Sequence, residues 1–465
     1  MNRIRRLLIA NRGEIACRII RACRAAGVES VAVYSEADRN ALHVELADVA
    51  APIGPAPAAQ SYLDADRLLE AARLTGADAV HPGYGFLSES AAFAAAVEAA
   101  GLVWVGATPA CIQAMGDKLN ARRIAVGAGV PVLPGVRLEH DAPETLDAAV
   151  AGLGFPLLLK AAGGGGGIGM QRIESLEALA QAAPRLRALA QRAFGDSAIY
   201  LERFIATARH VEVQVFGDGA GRAIHMAERD CSLQRRYQKI VEEGPAPRLS
   251  ARLRDALRQA AVRLAEHQRY SGAGTVEFLV DADAEDFFFL EMNTRIQVEH
   301  GVTEMVTGQD LVRMQLDCAG GELALPAQHE IRVAGHAVEC RLYAEDPARG
   351  FRPSPGRLTA LRLPEGPDLR VDCGYRGGDE ITPFYDPMLA KIIAHGPDRE
   401  AARRRMIEAL EAVEVAGVAT NLPFLQALIA SDAFASGDVD TRLAERLAQA
   451  PHHPAKSSPP VPAGE

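Results

Sequence analysis

The chain has 465 residues, of which 48% are hydrophobic and 24% charged, and these values are typical of a globular protein with roughly two to four domains. The net charge of −10 argues against nucleic acid or an anionic membrane surface as the main partner, and no apolar run approaches the length of a membrane span. The seven cysteines are odd in number and lack metal-type spacing, which predicts free thiols in a reducing cytoplasm.

The first region, residues 1–115, is predicted to be a parallel α/β unit. The segments LLIA, NRGEIACRIIRACRAAG and VAVY indicate a strand, a helix that ends at Gly27, and a second strand. The alternation continues to about Met115. The first turn lacks the G-x-G-x-x-G dinucleotide fingerprint, so a nicotinamide-binding Rossmann domain is disfavoured.

The second region, residues 116–320, contains the run KAAGGGGGIGM at residues 160–170. Its flanks, FPLLLK and MQRI, are predicted to be strands, whereas a flexible linker would have polar flanks. A glycine-rich turn between strands can place backbone N–H groups directly on an anion, and Lys160 supplies a cation at its entrance. The run is therefore predicted to bind an anion.

Further elements follow from periodicity. In HVEVQVF the alternation puts Val211, Val213 and Val215 on one face of a strand, with His210, Glu212 and Gln214 on the other. A helix is predicted over residues 250–268. A third, α+β region is predicted over residues 332–448. The proline-rich tail, residues 449–465, is predicted to be disordered.

Carboxylates and an amide indicate a metal site in the second region. Glu277 and Glu291 lie on two predicted neighbouring strands, and Asn293 follows; such oxygen ligands suit Mg²⁺ between phosphates. If the next segment is extended, Arg295, Gln297 and Glu299 share one face. An ordinary amphipathic strand remains the alternative reading of this segment.

Only five of the 50 basic residues are lysines, so the lysines are candidates for chemistry that needs a compact ammonium. Lys118 is predicted at a helix start, where it would reinforce phosphate binding. Lys239 suits a small anion, and Lys391 is read as strand or core edge. Arg341 is predicted on a strand near Glu339, with a structural ion pair between the two as the alternative.

Nine ordered motifs together resemble the biotin carboxylase component of biotin-dependent carboxylases, in the ATP-grasp superfamily, over about residues 3–447. They are IANRGEIACRIIRAC, HPGYGFLSE, MGDK, KAAGGGGGIGM, RHVEVQV, AERDCSLQRRYQK, EMNTRIQVEH, GHAVECRLYAEDP and YDPMLAKI. The resemblance implies α/β and α+β structure in three domains: an N-terminal Rossmann-like pre-ATP-grasp domain, an ATP-grasp domain with a glycine-rich mobile lid at about 133–205, and a C-terminal α+β domain. It also implies a homodimer.

The resemblance further implies a reaction in which ATP and bicarbonate carboxylate biotin on a carrier protein through carboxyphosphate, as the first half-reaction of an acyl-CoA carboxylase. ATP would be held by Lys118, Lys160, Gly164, Gly165, Gly166, Gly167, Gly169, Met170, Glu202, Arg203, Ile205, His210, Gln234 and Tyr237. Mg²⁺ or Mn²⁺ would be held by Glu277, Glu291 and Asn293. The expected catalytic residues are Glu299 as base, Arg295, Lys239 and Arg341. Bicarbonate and biotin would contact Lys239, Arg295, Gln297, Val298, Tyr84, Gly85 and Arg341.

Four residues depart from the family pattern: Ile168, Tyr237, Gly301 and Tyr343. None removes a catalytic group, but they affect expectations about the lid, the nucleotide contacts and the carrier. Two alternatives remain open, another ATP-grasp ligase and a noncatalytic nucleotide-binding subunit. The carrier and carboxyltransferase are expected on separate chains, with no biotinylated lysine here, since only Lys456 lies in the tail.

Overall fold

A computed structural model describes residues 3–161, 169–194 and 197–449. The sequence predictions that fall outside these residues concern Gly164, Gly165, Gly166, Gly167, Ile168, Lys456 and nearly all of the proposed tail.

The first region forms a five-stranded parallel sheet with helices between its strands. The strands are β1 (Arg6–Ile9), β2 (Glu29–Tyr34), β3 (Val49–Pro52), β4 (Ala79–His81) and β5 (Val103–Trp104), in the order β3-β2-β1-β4-β5. The helices are α1 (Gly13–Ala26), α2 (Leu42–Leu46), α3 (Ala65–Thr75), α4 (Ala91–Ala99) and α5 (Pro109–Gly116). As predicted, α1 ends at Gly27, whose φ of 67° is left-handed and readily adopted by glycine.

A smaller antiparallel sheet follows, in the order β6-β9-β7-β8. Its strands are β6 (Gly135–Leu138), β7 (Leu157–Ala161), β8 (Met170–Ile173) and β9 (Ile199–Arg203), with helices α6 (Lys118–Gly127), α7 (Pro143–Ala151) and α8 (Leu176–Phe194). The two predicted flanks of the glycine run are confirmed as β7 and β8. They pair with Lys160 opposite Met170, so Lys160 lies at the strand end from which the glycine run departs.

The largest sheet has eight antiparallel strands. They are β10 (Ala208–Asp218), β11 (Ala223–Arg235), β12 (Gln238–Gly244), β13 (Ser271–Asp281), β14 (Asp286–Asn293), β15 (His336–Tyr343), β20 (Leu369–Cys373) and β22 (Met388–Gly396), in the order β14-β13-β10-β11-β12-β15-β22-β20. Because β12 pairs with β15, one sheet runs without a break from the second sequence region into the third.

The faces of the large sheet follow the predicted alternation. Val211, Val213 and Val215 are fully buried in the core beneath α9 (Ala251–His267), whose extent also agrees with the sequence prediction. The opposite face of β10 carries Glu212 and Gln214, which are fully buried among polar groups. The sheet thus separates an apolar core from a buried polar face.

The remaining elements surround these sheets. The short strands are β16 (Glu345–Asp346), β17 (Arg352–Pro353), β18 (Gly356–Arg357), β19 (Ala360–Arg362), β21 (Glu380–Ile381) and β23 (Glu414–Ala416). The other helices are α10 (His300–Thr307), α11 (Leu311–Ala319), α12 (Arg399–Glu411), α13 (Leu422–Ala430), α14 (Asp432–Ser436) and α15 (Leu443–Gln449), and short 3₁₀ helices lie at Glu36–Asp38, Ala58–Gln60, Gln328–Glu330 and Pro347–Arg349. Within the described residues, none of the helices combines the length and apolar character needed to cross a bilayer.

Candidate active site

A cavity of about 720 Å³ lies where residues of the four-stranded sheet and of the polar face of the large sheet meet. Eighteen of the predicted site residues line it: Lys118, Lys160, Met170, Glu202, Arg203, Ile205, His210, Gln234, Tyr237, Lys239, Glu277, Glu291, Asn293, Arg295, Gln297, Val298, Glu299 and Arg341. Three other predicted site residues that the structure describes do not line the cavity: Tyr84, Gly85 and Gly169. Residues far apart in sequence therefore converge on one space.

Lys239 lies at the centre of a carboxylate cluster. Its ammonium is 2.6 Å from Glu212 Oε2, 2.8 Å from Glu277 Oε1 and 2.8 Å from Glu299 Oε1. Burial alone would lower the pKa of Lys239, but the three carboxylates outweigh it and hold the pKa well above its ordinary value. Lys239 is therefore a permanent cation in the cavity.

Glu299 is a buried carboxylate held by two cations. It is 1% exposed, and besides Lys239 it accepts a hydrogen bond from Arg341 Nη2 at 3.0 Å. Burial would raise the pKa of Glu299, yet the charges of Lys239, Arg341 and Arg229 hold it well below its ordinary value. At neutral pH the group is an ionised proton acceptor that faces the cavity.

Arg341 projects from β15 toward this carboxylate. The alternative interpretation was an ion pair between Arg341 and Glu339, but Arg341 pairs instead with Glu242 and Glu299. Its Nε is buried and has no hydrogen-bond partner among the described residues. Because a buried N–H group without a partner is costly, Arg341 is suited to bind a negatively charged oxygen.

Glu277, Glu291 and Asn293 form the predicted oxygen cluster. Glu277 lies opposite Glu291 in the pairing of β13 with β14, and Asn293 Nδ2 donates to Glu277 Oε1 at 2.8 Å. The side chain of Glu291 is open to the cavity, yet it lies deep enough that burial, followed by the charge of Glu277, raises its pKa. A cation would offset this repulsion, and carboxylate and amide oxygens are ligands that Mg²⁺ prefers, so these residues fit a divalent metal.

Further cations line the cavity, at Lys118, Arg122 and Lys160. Lys160 pairs with Glu202, which Arg122 Nη1 also contacts at 3.3 Å. Lys118 follows the N-cap Asp117 at the start of α6, as predicted. Close by, Gln234 Nε2 lies 2.7 Å from His210 Nδ1. The arrangement can neutralise a polyanion that enters the cavity.

The segment after β14 differs from its predicted form. Residues 294–299 are not a strand, because the chain turns to start α10: the N–H of His300 donates to Gln297 O at 3.3 Å, and that of Val302 to Glu299 O at 3.1 Å. Arg295 curls back, with Nε 2.9 Å from Glu89 Oε2 and Nη2 2.9 Å from Asn293 Oδ1. The loop nevertheless brings Arg295, Gln297 and Glu299 to the cavity, as expected.

Arg229 is a central residue that sequence reasoning missed. It is 1% exposed and donates to Glu212 Oε1 at 2.7 Å, to Thr303 Oγ1 at 2.7 Å and to Gln297 Oε1 at 2.8 Å. Its only sequence signal was its place within AERDCSLQRRYQK. Glu212 was also missed as a site residue, although the strand alternation had put it on the face of His210.

We expect Arg229→Met to destabilise the protein by about 3–5 kcal/mol, since it leaves the buried Glu212 carboxylate without one of its two cations. Thermal unfolding should show a midpoint lowered by several degrees. Arg252→Met is the matched control: Arg252 makes an exposed pair with Glu285, which contributes little. Equal midpoints for the two variants would contradict a structural role for Arg229.

Three of the family departures can be placed here. Gly301 lies in α10, where an added Cβ would overlap with Ile393 Cδ1, so this packing accommodates glycine. Tyr343 is 2% exposed beside Arg341. The third, Tyr237, is 59% exposed and forms with Arg236 the turn between β11 and β12, both with positive φ.

Three family models match the chain in order. They are described as biotin carboxylase, N-terminal domain, over residues 3–112; carbamoyl-phosphate synthase L chain, ATP binding domain, over residues 117–326; and biotin carboxylase C-terminal domain, over residues 339–446.

Relatives match nearly the whole chain. A pyruvate carboxylase subunit of Methanothermobacter thermautotrophicus is 46% identical over 440 residues, which cover 95% of this chain and 89% of that one. The mitochondrial alpha subunit of methylcrotonoyl-CoA carboxylase from Dictyostelium discoideum is 46% identical over 94% of this chain, which spans only 63% of that relative. The biotin carboxylase domain dimer of Hydrogenobacter thermophilus 2-oxoglutarate carboxylase, solved with MgADP, ADP and bicarbonate, has a TM-score of 0.90 and 42% identity, covering 96% of this chain and 98% of that one.

Proposed function

The chain belongs to the biotin carboxylase family of ATP-grasp ligases, and from this premise we propose that its cavity uses ATP to activate bicarbonate and then carboxylates biotin on a carrier. The proposal depends most on one observation: Glu299 is held between Lys239 and Arg341 in a cavity that Lys118 and Lys160 also line. A base, an anion-binding cation and phosphate-binding cations thus share one space.

Bicarbonate is proposed to bind Lys239, Arg295 and the Gln297–Val298 backbone. Lys239 now pairs with Glu299, so an anion that takes over part of its charge leaves Glu299 with less positive charge nearby. The pKa of Glu299 then rises, and the carboxylate becomes a better acceptor for the bicarbonate proton. Binding of the substrate thereby activates the base.

ATP is proposed to bind across β7, β9 and the glycine run. Lys118, Lys160, Gly169 and Met170, with Gly164 to Gly167, would hold the phosphates. Glu202, Arg203 and Ile205 would receive the adenine, with His210, Gln234 and Tyr237 near the nucleotide. Phosphoryl transfer depends mainly on alignment and neutralised charge, which these cations supply.

Glu277, Glu291 and Asn293 are proposed to hold Mg²⁺ or Mn²⁺. A bound metal would neutralise charge on the phosphates of ATP. His210 Nε2, 2.8 Å from Glu277 Oε2, and Lys239 orient the Glu277 carboxylate. These two groups hold Glu277 in place independently of the position of Glu291.

The reaction is proposed to begin when Glu299 takes the proton of bicarbonate. A bicarbonate oxygen attacks the γ-phosphorus and ADP leaves, giving carboxyphosphate. Its C–O bond breaks to give CO₂ and phosphate, and the phosphate takes the ureido N–H proton of biotin. The ureido nitrogen then forms a bond to CO₂ while Arg341 stabilises the enolate oxygen. Tyr84 and Gly85 are proposed to contact the ureido ring.

The purified chain tests this proposal directly. We expect ATP cleavage to require bicarbonate, and ¹⁴C from bicarbonate to appear in biotin only when ATP is present. ATP cleavage with another carboxylate substrate but not with bicarbonate would favour a different ATP-grasp ligase. Nucleotide binding without any cleavage would favour a noncatalytic subunit.

The carrier and the carboxyltransferase are proposed to be separate chains. The enzyme itself is proposed to be a homodimer in the cytoplasm. None of the four lysines among the described residues is placed to carry biotin: Lys118, Lys160 and Lys239 line the cavity, and Lys391 is fully buried. The carboxylases compared above are named for three different acceptors, which supports a choice of acceptor made outside this cavity.

We therefore expect no biotin on this chain when it is coexpressed with a biotin ligase. A streptavidin blot should be blank at its mass, while a coexpressed biotinyl domain gives a band as the positive control. A band at the mass of the chain would refute a carrier that is separate from it.

A further inference from the structure

Lys391 is a fully buried lysine that the proposed chemistry leaves without a role. It lies on β22 directly opposite Arg341 of β15, and paired residues of neighbouring strands project from the same face of a sheet. Arg341 reaches the side chain of Glu299, while Lys391 Nζ donates to the backbone carbonyl of Val298 at 2.7 Å. Two adjacent cations therefore hold two consecutive residues of one loop.

The charge of Lys391 is balanced by acids from two other elements. Its Nζ lies 3.3 Å from Glu14 Oε2 on α1 and 3.8 Å from Asp372 Oδ2 on β20. Asp372 is held further by Arg370 Nη2 at 2.7 Å. Glu14 in turn accepts a hydrogen bond from the hydroxyl of Tyr84. Lys391 thus joins the loop after β14 to the first and third regions of the chain.

We name residues 294–299 the bicarbonate loop. The contact with Lys391 fixes one peptide plane of this loop, the one between Val298 and Glu299. In a planar trans peptide the C=O and the following N–H point in opposite directions. Because Lys391 holds the carbonyl of Val298, the N–H of Glu299 is directed to the opposite side of that peptide. This orientation helps to set the direction in which α10 begins and the position of the Glu299 side chain, since Glu299 is the N-cap of α10.

We propose that Lys391 is a positioning residue, which holds the bicarbonate loop so that Gln297, Val298 and Glu299 meet bicarbonate in the geometry needed for proton removal. The inference rests on the proposed function, and it assigns Lys391 no contact with substrate. A compact ammonium suits this role, since it can donate to one carbonyl while it lies within ion-pair distance of two carboxylates in a fully buried space.

Lys391→Met tests the proposal, since methionine fills a similar volume without the charge or the donor. We expect the KM for bicarbonate to rise about tenfold, because a displacement of about 1 Å at the reacting groups can cost about 100-fold, and the KM for ATP to stay within about twofold. A role limited to stability would lower the unfolding temperature and leave the KM for bicarbonate unchanged, and that result would overturn the proposal.

Arg399→Met is the matched control. Arg399 is another mostly buried cation, which donates to Phe434 O at 2.6 Å and to Glu243 Oε2 at 2.6 Å, and it is not among the residues that line the cavity. We expect it to lower stability without changing the KM for bicarbonate. An equal rise in that KM for both variants would show a general loss of order and would overturn the role of Lys391.

A second variant covers the case in which Lys391→Met does not fold. Lys391→Gln keeps an N–H donor for Val298 O and should raise the KM for bicarbonate less than methionine does. If circular dichroism and gel filtration show that neither variant folds, Lys391 is a folding residue and the proposal is wrong. If the wild-type protein shows no bicarbonate-dependent ATP cleavage, the proposed function itself is wrong. A failure of the proposed function can therefore be distinguished from a failure of the role proposed for Lys391.

Discussion

Glu299→Gln is expected to lower bicarbonate-dependent ATP cleavage by about 10²–10⁴-fold, the range that general base catalysis typically contributes. The amide cannot take the bicarbonate proton, although its oxygen can still accept a hydrogen bond from Lys239 or Arg341. Phosphate release at saturating ATP and bicarbonate measures the effect. ATP affinity, measured by calorimetry, should change by no more than about threefold, because the nucleotide is proposed to bind other residues of the cavity.

Glu285→Gln is the control for this substitution. Glu285 lies in the turn between β13 and β14, and it pairs with the exposed Arg252, so turnover should equal that of the wild type. Near-wild-type turnover in Glu299→Gln would mean that another group removes the proton. The nearest candidates would then be the carboxyl groups of Glu212 and Glu277, which share Lys239 with it.

Arg341→Ala is expected to lower biotin carboxylation by about 10²–10³-fold, in the range found when one oxyanion-stabilising group is removed. ATP cleavage driven by bicarbonate should fall less, by under about tenfold, because the enolate forms only in the second half-reaction. Some loss of cleavage is expected, since Arg341 also donates to Glu299 at 3.0 Å. The ratio of the two losses is the informative quantity.

Lys160→Ala supplies the comparison for that ratio. Lys160 is proposed to bind ATP phosphates, so its loss should weaken ATP binding and reduce cleavage and carboxylation to the same extent. Both reactions are measured on the same preparations, as phosphate released and as ¹⁴C fixed in biotin. Equal losses in Arg341→Ala would show that Arg341 is not a selective stabiliser of the enolate.

Local patterns predicted the elements of the fold well. The glycine at position 27 ends α1, alternation places Val211 and Val213 on one face, and strands flank the glycine run. These features depend on residues close in sequence, through backbone conformation and the periodicity of strands and helices. The motif resemblance added the order of the regions and most of the cavity lining.

Long-range contacts were not accessible in the same way. Arg229 bonds to Gln297 and Thr303, and Lys391 bonds to Val298; each contact depends on which strands are neighbours in the large sheet. Periodicity cannot show that β12 lies beside β15. The extended form of residues 294–299 was wrong for a related reason, because the turn into α10 is stabilised by backbone hydrogen bonds that side-chain alternation does not reveal.

Isotope transfer from bicarbonate to phosphate tests the central claim, that ATP activates bicarbonate in this cavity, most directly. The purified chain would be given ATP, Mg²⁺ and freshly prepared ¹⁸O-labelled bicarbonate, and the released phosphate analysed by mass spectrometry before bicarbonate exchanges oxygen with water. We expect one ¹⁸O atom in the released phosphate, since the oxygen that attacks the γ-phosphorus remains on phosphorus when the C–O bond of carboxyphosphate breaks. Phosphate without ¹⁸O would show that water cleaves ATP and that bicarbonate is not activated in this cavity.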